Sequence, residues 1–244
     1  MSEKIQEKTL EAAQADFIST VSHELRTPLT SIRGFAETLL SAGDKLTDEQ
    51  KRKFLEIIKD QSNRLIKLTE NLLAVSKNNV EKLILKKVNI VPYVENAIRL
   101  ISAQSHKNEF KFHSQSNIAD ILADTDKFQQ VMLNIIENAS KYSDKDTVIN
   151  TEISQTEKEV VIKVSDKGVE ISEKDRDRIF EKFTRLSTPL TQKTEGSGLG
   201  LYLTKILVTR MNGRISAYSK DGITTFEVAF PIAEYGDDVK EKMK

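Results

Sequence analysis

Up to about residue 76 the apolar side chains of this chain recur every third or fourth position, and from about residue 83 they come in short stretches of alternating polarity. This change of period divides the chain. The first stripe runs through Phe17, Val21, Leu25, Pro28, Ile32, Phe35 and Leu39. Pro28 is the only proline between about Ile5 and Ala42, so one long amphipathic helix is expected there. After the turn-like SAGDKLTDEQ, a heptad-like stripe of Phe54, Ile58, Gln61, Leu65, Leu68, Leu72 and Val75 gives a second helix. A lone hairpin cannot cover both stripes. Packing two copies into a four-helix bundle removes them from water, which predicts a homodimer.

Beyond the linker NNVEK, the stretches LILKKVNI, EFKFHSQ, TVINTEISQ, EVVIKVSD, RISAYSK and TTFEVAFPI read as strands. Helical stretches lie between them, roughly Val91 to Ser105, Asp124 to Tyr142 and Leu199 to Met211. Strands outnumber helices and several look hairpin-paired, which favours an α+β sandwich over a parallel doubly wound sheet. The expected organisation is a helical hairpin over 1–80, an α+β domain over 81–235 and a charged tail over 236–244.

Lysine plus arginine equals aspartate plus glutamate at 37 each, so no global field draws the chain to nucleic acid or to an anionic membrane, and any phosphate site must be local. The absence of cysteine excludes disulfides, thiolate zinc sites and cysteine nucleophiles. The histidines are His23, His106 and His113. There is no run of about eighteen apolar residues, and the start MSEKIQEKTLEAA has no apolar core of a signal peptide. The segment is expected in the cytoplasm without direct membrane contact. A sensor region anchoring a full-length protein would lie outside it.

His23 falls two positions after Val21 and two before Leu25, which turns it away from the stripe toward solvent. A neutral imidazole carries a lone pair near pH 7 and can attack phosphorus without a strong base. Glu24 beside it could accept the hydrogen bond of the other ring nitrogen, fixing the tautomer and stabilising the cation that forms. Pro28 removes an amide donor and crowds the Glu24 carbonyl, so a bend is expected next to the histidine. Taken alone these features also describe a surface histidine and an ordinary proline kink. The whole string FISTVSHELRTPLTSIRGF, however, closely resembles the phosphoacceptor motif of sensor histidine kinases. That resemblance implies His23 as phosphoacceptor, Glu24 as its acid/base partner, and Thr27 as the hydroxyl that positions water for dephosphorylating a response regulator.

In the helix from Asp124 to Tyr142, Asn134, Asn138 and Lys141 share one face, which could meet phosphates and a hydrated magnesium ion or be only a polar solvated face. In EGSGLGLYLTK, Gly196, Gly198 and Gly200 stand just before a helix, where backbone amides can approach phosphate. Asp166 and Gly168 follow a strand, where the carboxylate could accept from an adenine amino group or simply form a turn. In order, NIIENASKYS, DKGVEI, RIFEKFTR and EGSGLGLYL resemble the nucleotide-binding boxes of the histidine kinase ATPase family, shared with gyrase and Hsp90-type ATPases. The resemblance implies a Bergerat-type sandwich that binds ATP with magnesium. Asn138 would be the metal ligand; Asn134, Lys141 and Tyr142 would surround the nucleotide; Asp166 with Gly168 would meet adenine. Phe180, Phe183 and Arg185 would flank a lid over Thr184 to Glu195, closing over the phosphates with Ser197, Gly198, Leu199, Gly200 and Leu201. The chain departs from the family at Glu170, where a second glycine is usual, and at Lys167, where asparagine is usual. Added bulk and negative charge at Glu170 set an expectation of weaker ATP binding or slower turnover.

The expected activity is phosphoryl transfer from ATP to His23 and on to an aspartate of a response regulator receiver domain, with Thr27 supporting the reverse hydrolysis. The loop from Ser41 to Leu46 would set whether transfer runs within or across protomers. The rival reading is a signalling dimer, weak or inactive as a kinase, that docks or dephosphorylates the regulator. A gyrase- or Hsp90-like ATPase would explain the boxes but not the preceding hairpin with SHELRTP.

Overall fold

The computed structural model describes residues 2–76, 82–105, 107–186, 188, 190–191 and 196–233. His106, most of NNVEK, part of the Thr184 to Glu195 segment and the charged tail lie outside the described residues. The chain divides into two compact units, Met1–Asn78 and Asn79–Lys244.

The first unit is a hairpin of α1 (Ser2–Ala42) and α2 (Asp48–Ser76), joined by a 3-10 turn at Gly43–Lys45. The start of α2 is set by a reciprocal cap. Thr47 Oγ1 accepts from the Gln50 amide at 3.2 Å, and Gln50 Oε1 accepts from the Thr47 amide at 2.9 Å. The two stripes meet: Val21, Leu25, Ile32, Phe35 and Leu39 are half-buried, as are Phe54, Ile58 and Leu65, while Leu68 is buried. The Phe35 and Phe54 rings lie 5.1 Å apart across the hairpin. α1 continues past Pro28 as a helix, with the proline itself buried.

The second unit is an α+β sandwich. A five-stranded mixed sheet runs β2 (Glu109–Ser114), β4 (Val148–Gln155), β5 (Glu159–Asp166), β7 (Ile223–Pro231), β6 (Arg214–Lys220). The pairs β4/β5 and β6/β7 are antiparallel and adjacent in sequence, β5 and β7 are antiparallel with β6 between them in the chain, and the edge strand β2 joins β4 in parallel. A small second sheet pairs β1 (Lys86–Val88) with β3 (Ile121–Ala123). Helices α3 (Val91–Gln104), α4 (Thr125–Tyr142) and α5 (Gly200–Arg210) share one core with the sheet. Phe128 and Met132 of α4 meet Ile149, Ile153, Ile162 and Phe230 of the strands, all fully buried. The opposite sheet face is polar, with Lys163 reaching Glu227 at 3.5 Å and Arg214 reaching Glu159 at 2.9 Å. Asp124 caps α4 by accepting from the Lys127 amide at 3.2 Å.

Candidate active site

In the helical unit His23 is exposed on α1, as its place beside the stripe requires. Glu24 is turned the other way, since consecutive helix residues do not share a face. Its side chain keeps 12% of its exposure and its Oε2 accepts from Arg64 Nη2 of α2 at 3.0 Å. Thr27 stands one turn beyond His23, exposed, with its hydroxyl donating to the His23 carbonyl at 3.2 Å. Arg64 carried no signal in the sequence, because its partner is 40 residues away.

In the α/β unit two of the matching segments, EGSGLGLYL and DKGVEI, converge on α4. Asn134 donates through Nδ2 to Thr204 Oγ1 of α5 at 2.6 Å, and a Cβ on Gly200 would stand 2.6 Å from Asn134 Oδ1. One turn further on, Asn138 is half-buried. Lys141 and Tyr142 form the last turn, the ammonium 5.2 Å from the ring centroid. Gly196 adjoins both, for a Cβ there would lie 3.0 Å from Lys141 Nζ and 3.4 Å from Tyr142 Oη.

The DKG segment meets the same helix end through backbone. Ser143 and Gly168 form an isolated bridge, Val169 donates to the Tyr142 carbonyl at 3.2 Å, and Asp144 donates to the Lys167 carbonyl at 2.7 Å. A Cβ on Gly168 would stand 2.1 Å from the Tyr142 oxygen, so this close approach admits no larger residue. Asp166 ends β5 and is 4% exposed, opposite Thr224 of β7. Burial pushes its carboxyl up to about 7; the Lys107 ammonium opposes the rise and the Asp144 carboxylate adds to it. Lys107, in the connection from α3 to β2, is another residue the sequence did not mark. Glu170 is exposed, and its carboxylate lies beside the β6–β7 turn, 3.8 Å from where a Cβ on Gly222 would be.

Phe180 is buried, with the Lys205 ammonium 5.5 Å from its ring centroid. Phe183 adopts φ 62° and donates its amide to the Gly198 carbonyl at 3.0 Å. Gly198, at φ 67°, backs onto Phe183 so closely that a Cβ would lie 2.7 Å from its carbonyl carbon. The two ends of the Thr184 to Glu195 segment are therefore tied together. Arg185 donates to the Thr191 carbonyl at 2.6 Å. Ser197 Oγ accepts from the Leu199 amide at 3.4 Å. The Leu199 side chain is fully buried, so it offers a ligand only backbone, and half-buried Leu201 packs on the core. Among the described residues no group of three or more His, Asp or Glu side chains could hold a metal ion. The half-buried neutral amide of Asn138 suits a magnesium ion, which draws most of its ligands from water and phosphate.

Residues 13–81 match the His Kinase A (phospho-acceptor) domain, and residues 123–234 match the family described as Histidine kinase-, DNA gyrase B-, and HSP90-like ATPase. Sensor protein kinase WalK of Staphylococcus saprophyticus is 32% identical over 239 residues, covering 95% of this chain and 39% of that protein. Full-length ShkA, solved in complex with AMPPNP, is 28% identical with a TM-score of 0.64 over 88% of this chain and 45% of its own. Histidine kinase ThkA, solved in complex with response regulator protein TrrA, shares the fold with a TM-score of 0.66 at 20% identity, over 96% of this chain and 66% of its own. The chain spans between 24% and 57% of the length of curated relatives it matches. Among the described residues no helix is long and apolar enough to cross a membrane. With a phospho-acceptor domain followed by an ATPase domain along one chain, the protein belongs to the sensor histidine kinases of two-component systems.

Proposed function

We propose that this chain is the catalytic core of a sensor histidine kinase acting in the cytoplasm. Residues 81–235 bind ATP, residues 1–80 form the dimerising and accepting domain, and 236–244 are a charged tail. The observation that carries this reading is the exposure of His23 on a phospho-acceptor hairpin whose neighbouring carboxylate, Glu24, is held on the other side by Arg64. The free imidazole nitrogen attacks the γ-phosphorus in line, the N–P bond forms as the bond to the β,γ-bridging oxygen breaks, and ADP leaves. Glu24, on leaving Arg64 and turning toward the imidazole, accepts the hydrogen bond of the other ring nitrogen and stabilises the growing imidazolium.

Asp166 accepts from the adenine amino group, and Gly168 keeps the backbone of its turn against α4. Asn134, Lys141 and Tyr142, with Gly196, Ser197, Gly198, Gly200, Leu201 and the backbone of Leu199, surround the phosphates. Phe180, Phe183 and Arg185 set the base of the lid. Asn138 would hold a magnesium ion, whose charge would screen the phosphate oxygens.

The phosphohistidine then passes its phosphoryl group to an aspartate on a response regulator receiver domain. Thr27, whose hydroxyl hydrogen is directed at the His23 carbonyl, keeps an exposed oxygen lone pair that can orient water for hydrolysis of the phosphoaspartate. The rival reading, a dimer that docks or dephosphorylates the regulator without making phosphohistidine, rests on Glu170. Its side chain is directed to the β6–β7 turn, which favours a working nucleotide site. Incubation with γ-labelled ATP decides between them. Acid-labile label on the wild type and none on His23→Gln is expected. A folded wild type that takes no label, but gains nucleotide binding on Glu170→Gly, would establish the rival.

A further inference from the structure

One basic side chain lies against the proposed adenine end of the site without belonging to any of the four matching segments. Lys107 Nζ is 3.5 Å from the carbonyl oxygens of both Ser140 and Lys141 and donates more closely still to that of Ser143. Its neighbours grip the same place. Ser140 Oγ bonds Ser105 Oγ at 2.9 Å, and Asn108 Nδ2 donates to Ser143 Oγ at 2.7 Å and to the Asp144 carbonyl at 2.9 Å. The Asp146 amide returns a bond of 2.9 Å to the Lys107 carbonyl.

The last carbonyls of a helix have no partners within it and carry the negative end of its dipole, so a cation is favoured there. The end of α4 that Lys107 caps holds Lys141 and Tyr142, and Ser143 is bridged to Gly168 in the turn after Asp166. The capping ammonium thus also acts on the buried carboxylate across that bridge, against the effect of burial.

We propose that Lys107 is a positioning residue of the ATP site: its ammonium locks the end of α4 against the turn that carries Asp166 and supplies the positive charge that keeps this carboxylate able to accept the adenine amino group. The inference rests on the reading of Asp166 as the adenine acceptor. The charged groups acting on Asp166 are Lys107 from the α3–β2 connection and Asp144 from the α4–β4 turn. Thr224 opposite it in β7 is uncharged, Lys141 of α4 lies by the Tyr142 ring, and Lys167 and Glu170 of its own turn are exposed.

The test is ADP binding to the full chain by titration calorimetry between about pH 6 and about pH 9, with a thermal melt confirming the fold of each variant. Wild-type binding should weaken as pH falls through about 7. Lys107→Gln keeps N–H donors for the carbonyls and removes the charge. It should move the midpoint up by about one pH unit, leaving binding about fivefold weaker at about pH 7, close to tenfold weaker at about pH 6, and converging with wild type at high pH. Lys107→Met serves the same end if the glutamine variant does not fold, and Lys107→Arg should restore the wild-type midpoint. A loss of equal size at every pH would mean that Lys107 is merely structural, and overturns the proposal. So does a Lys107→Gln profile identical to wild type while Asp166→Asn binds weakly and without pH dependence, in which case the adenine reading stands alone. Should Asp166→Asn bind like wild type, the adenine reading fails and this inference fails with it.

Discussion

The two units keep their apolar side chains from water in opposite ways. In the hairpin, Leu68 is the one hydrophobic side chain buried in the core among the described residues apart from Pro28, and Leu29, Leu40, Leu55, Ile66 and Leu73 are each more than half exposed. In the α/β unit, Phe128, Ile135, Ile136, Ile149, Ile162 and Phe230 are wholly enclosed. Each such side chain contributes about 1.5–3 kcal/mol on burial, so the sandwich can hold its own fold while the hairpin needs a second surface. The proposed acceptor His23 therefore sits on the element that depends on assembly, and the proposed nucleotide residues sit on the one that does not. Phosphorylation should follow protomer concentration, whereas nucleotide binding should be indifferent to it.

The largest effect expected is from charging the uncovered row. Leu55 and Leu73 are both 57% exposed, so Leu55→Glu with Leu73→Glu leaves the contacts within one hairpin little changed. Sedimentation should nonetheless show the dimer lost and labelling of His23 reduced by about tenfold or more, with ADP affinity unaltered. A dimer that survives would mean that these residues are not the covered face. The converse variant is Phe128→Ala, whose ring is fully buried 5.6 Å from Phe230 and edge-on to Tyr93 at 6.3 Å. It should cost about 3–5 kcal/mol, lowering the melt of the sandwich and its ADP binding while sedimentation still reports a dimer.

The same contrast governs what the sequence could tell. Both hairpin stripes were legible because a helix repeats its face every turn, and strands β4 to β7 because each is a run of seven or more residues that mixes apolar and β-branched side chains with polar ones. Strand β3 was missed, since Ile121–Ala123 is too short to alternate, and nothing in a period says that edge strand β2 would pair in parallel with β4. Motif residues of DKGVEI and EGSGLGLYL come together on α4, where Gly168, Gly196 and Gly200 mark close backbone approach. Lys107 and Arg64 could not be found that way. Their partners lie 33 to 40 residues away, and only the folded chain sets a lysine against a helix end or an arginine against Glu24.

Asp166 gives a pH-dependent prediction. Its carboxyl stands at about 7 in the fold against an ordinary 3.8, so the fold prefers the protonated form. The stability it contributes is fully present below about pH 3.8 and is lost as pH rises through about 7. Asp166→Asn, neutral throughout, should therefore stabilise the sandwich by roughly 2–4 kcal/mol near pH 8, with no gain near pH 4, while weakening ADP binding. Thermal melts at the two pH values check the sign. A variant destabilised at the higher pH would show that the ionised carboxylate is held by partners rather than strained by burial.

The smallest effect expected is in the Glu24–Arg64 contact between the two helices of the hairpin. Glu24 and Arg64 retain 12% and 27% of their side-chain exposure, against 32% and 57% for Glu159 and Arg214 on the outer face of the sheet. Arg64→Ala leaves a mostly buried carboxylate unpaired and should cost about 1–2 kcal/mol, whereas Arg214→Ala exposes a carboxylate already in water and should cost less than about 1 kcal/mol. A double-mutant cycle with Glu24→Gln isolates the pair, and a coupling of about 1 kcal/mol in the melt of the hairpin, with the sandwich unmoved, is expected. A coupling near zero would put this pair among the solvent-screened ones on the sheet. The hairpin would then hold Glu24 in place by side-chain packing alone, and the carboxylate beside His23 would be free to turn toward the imidazole without first leaving a partner.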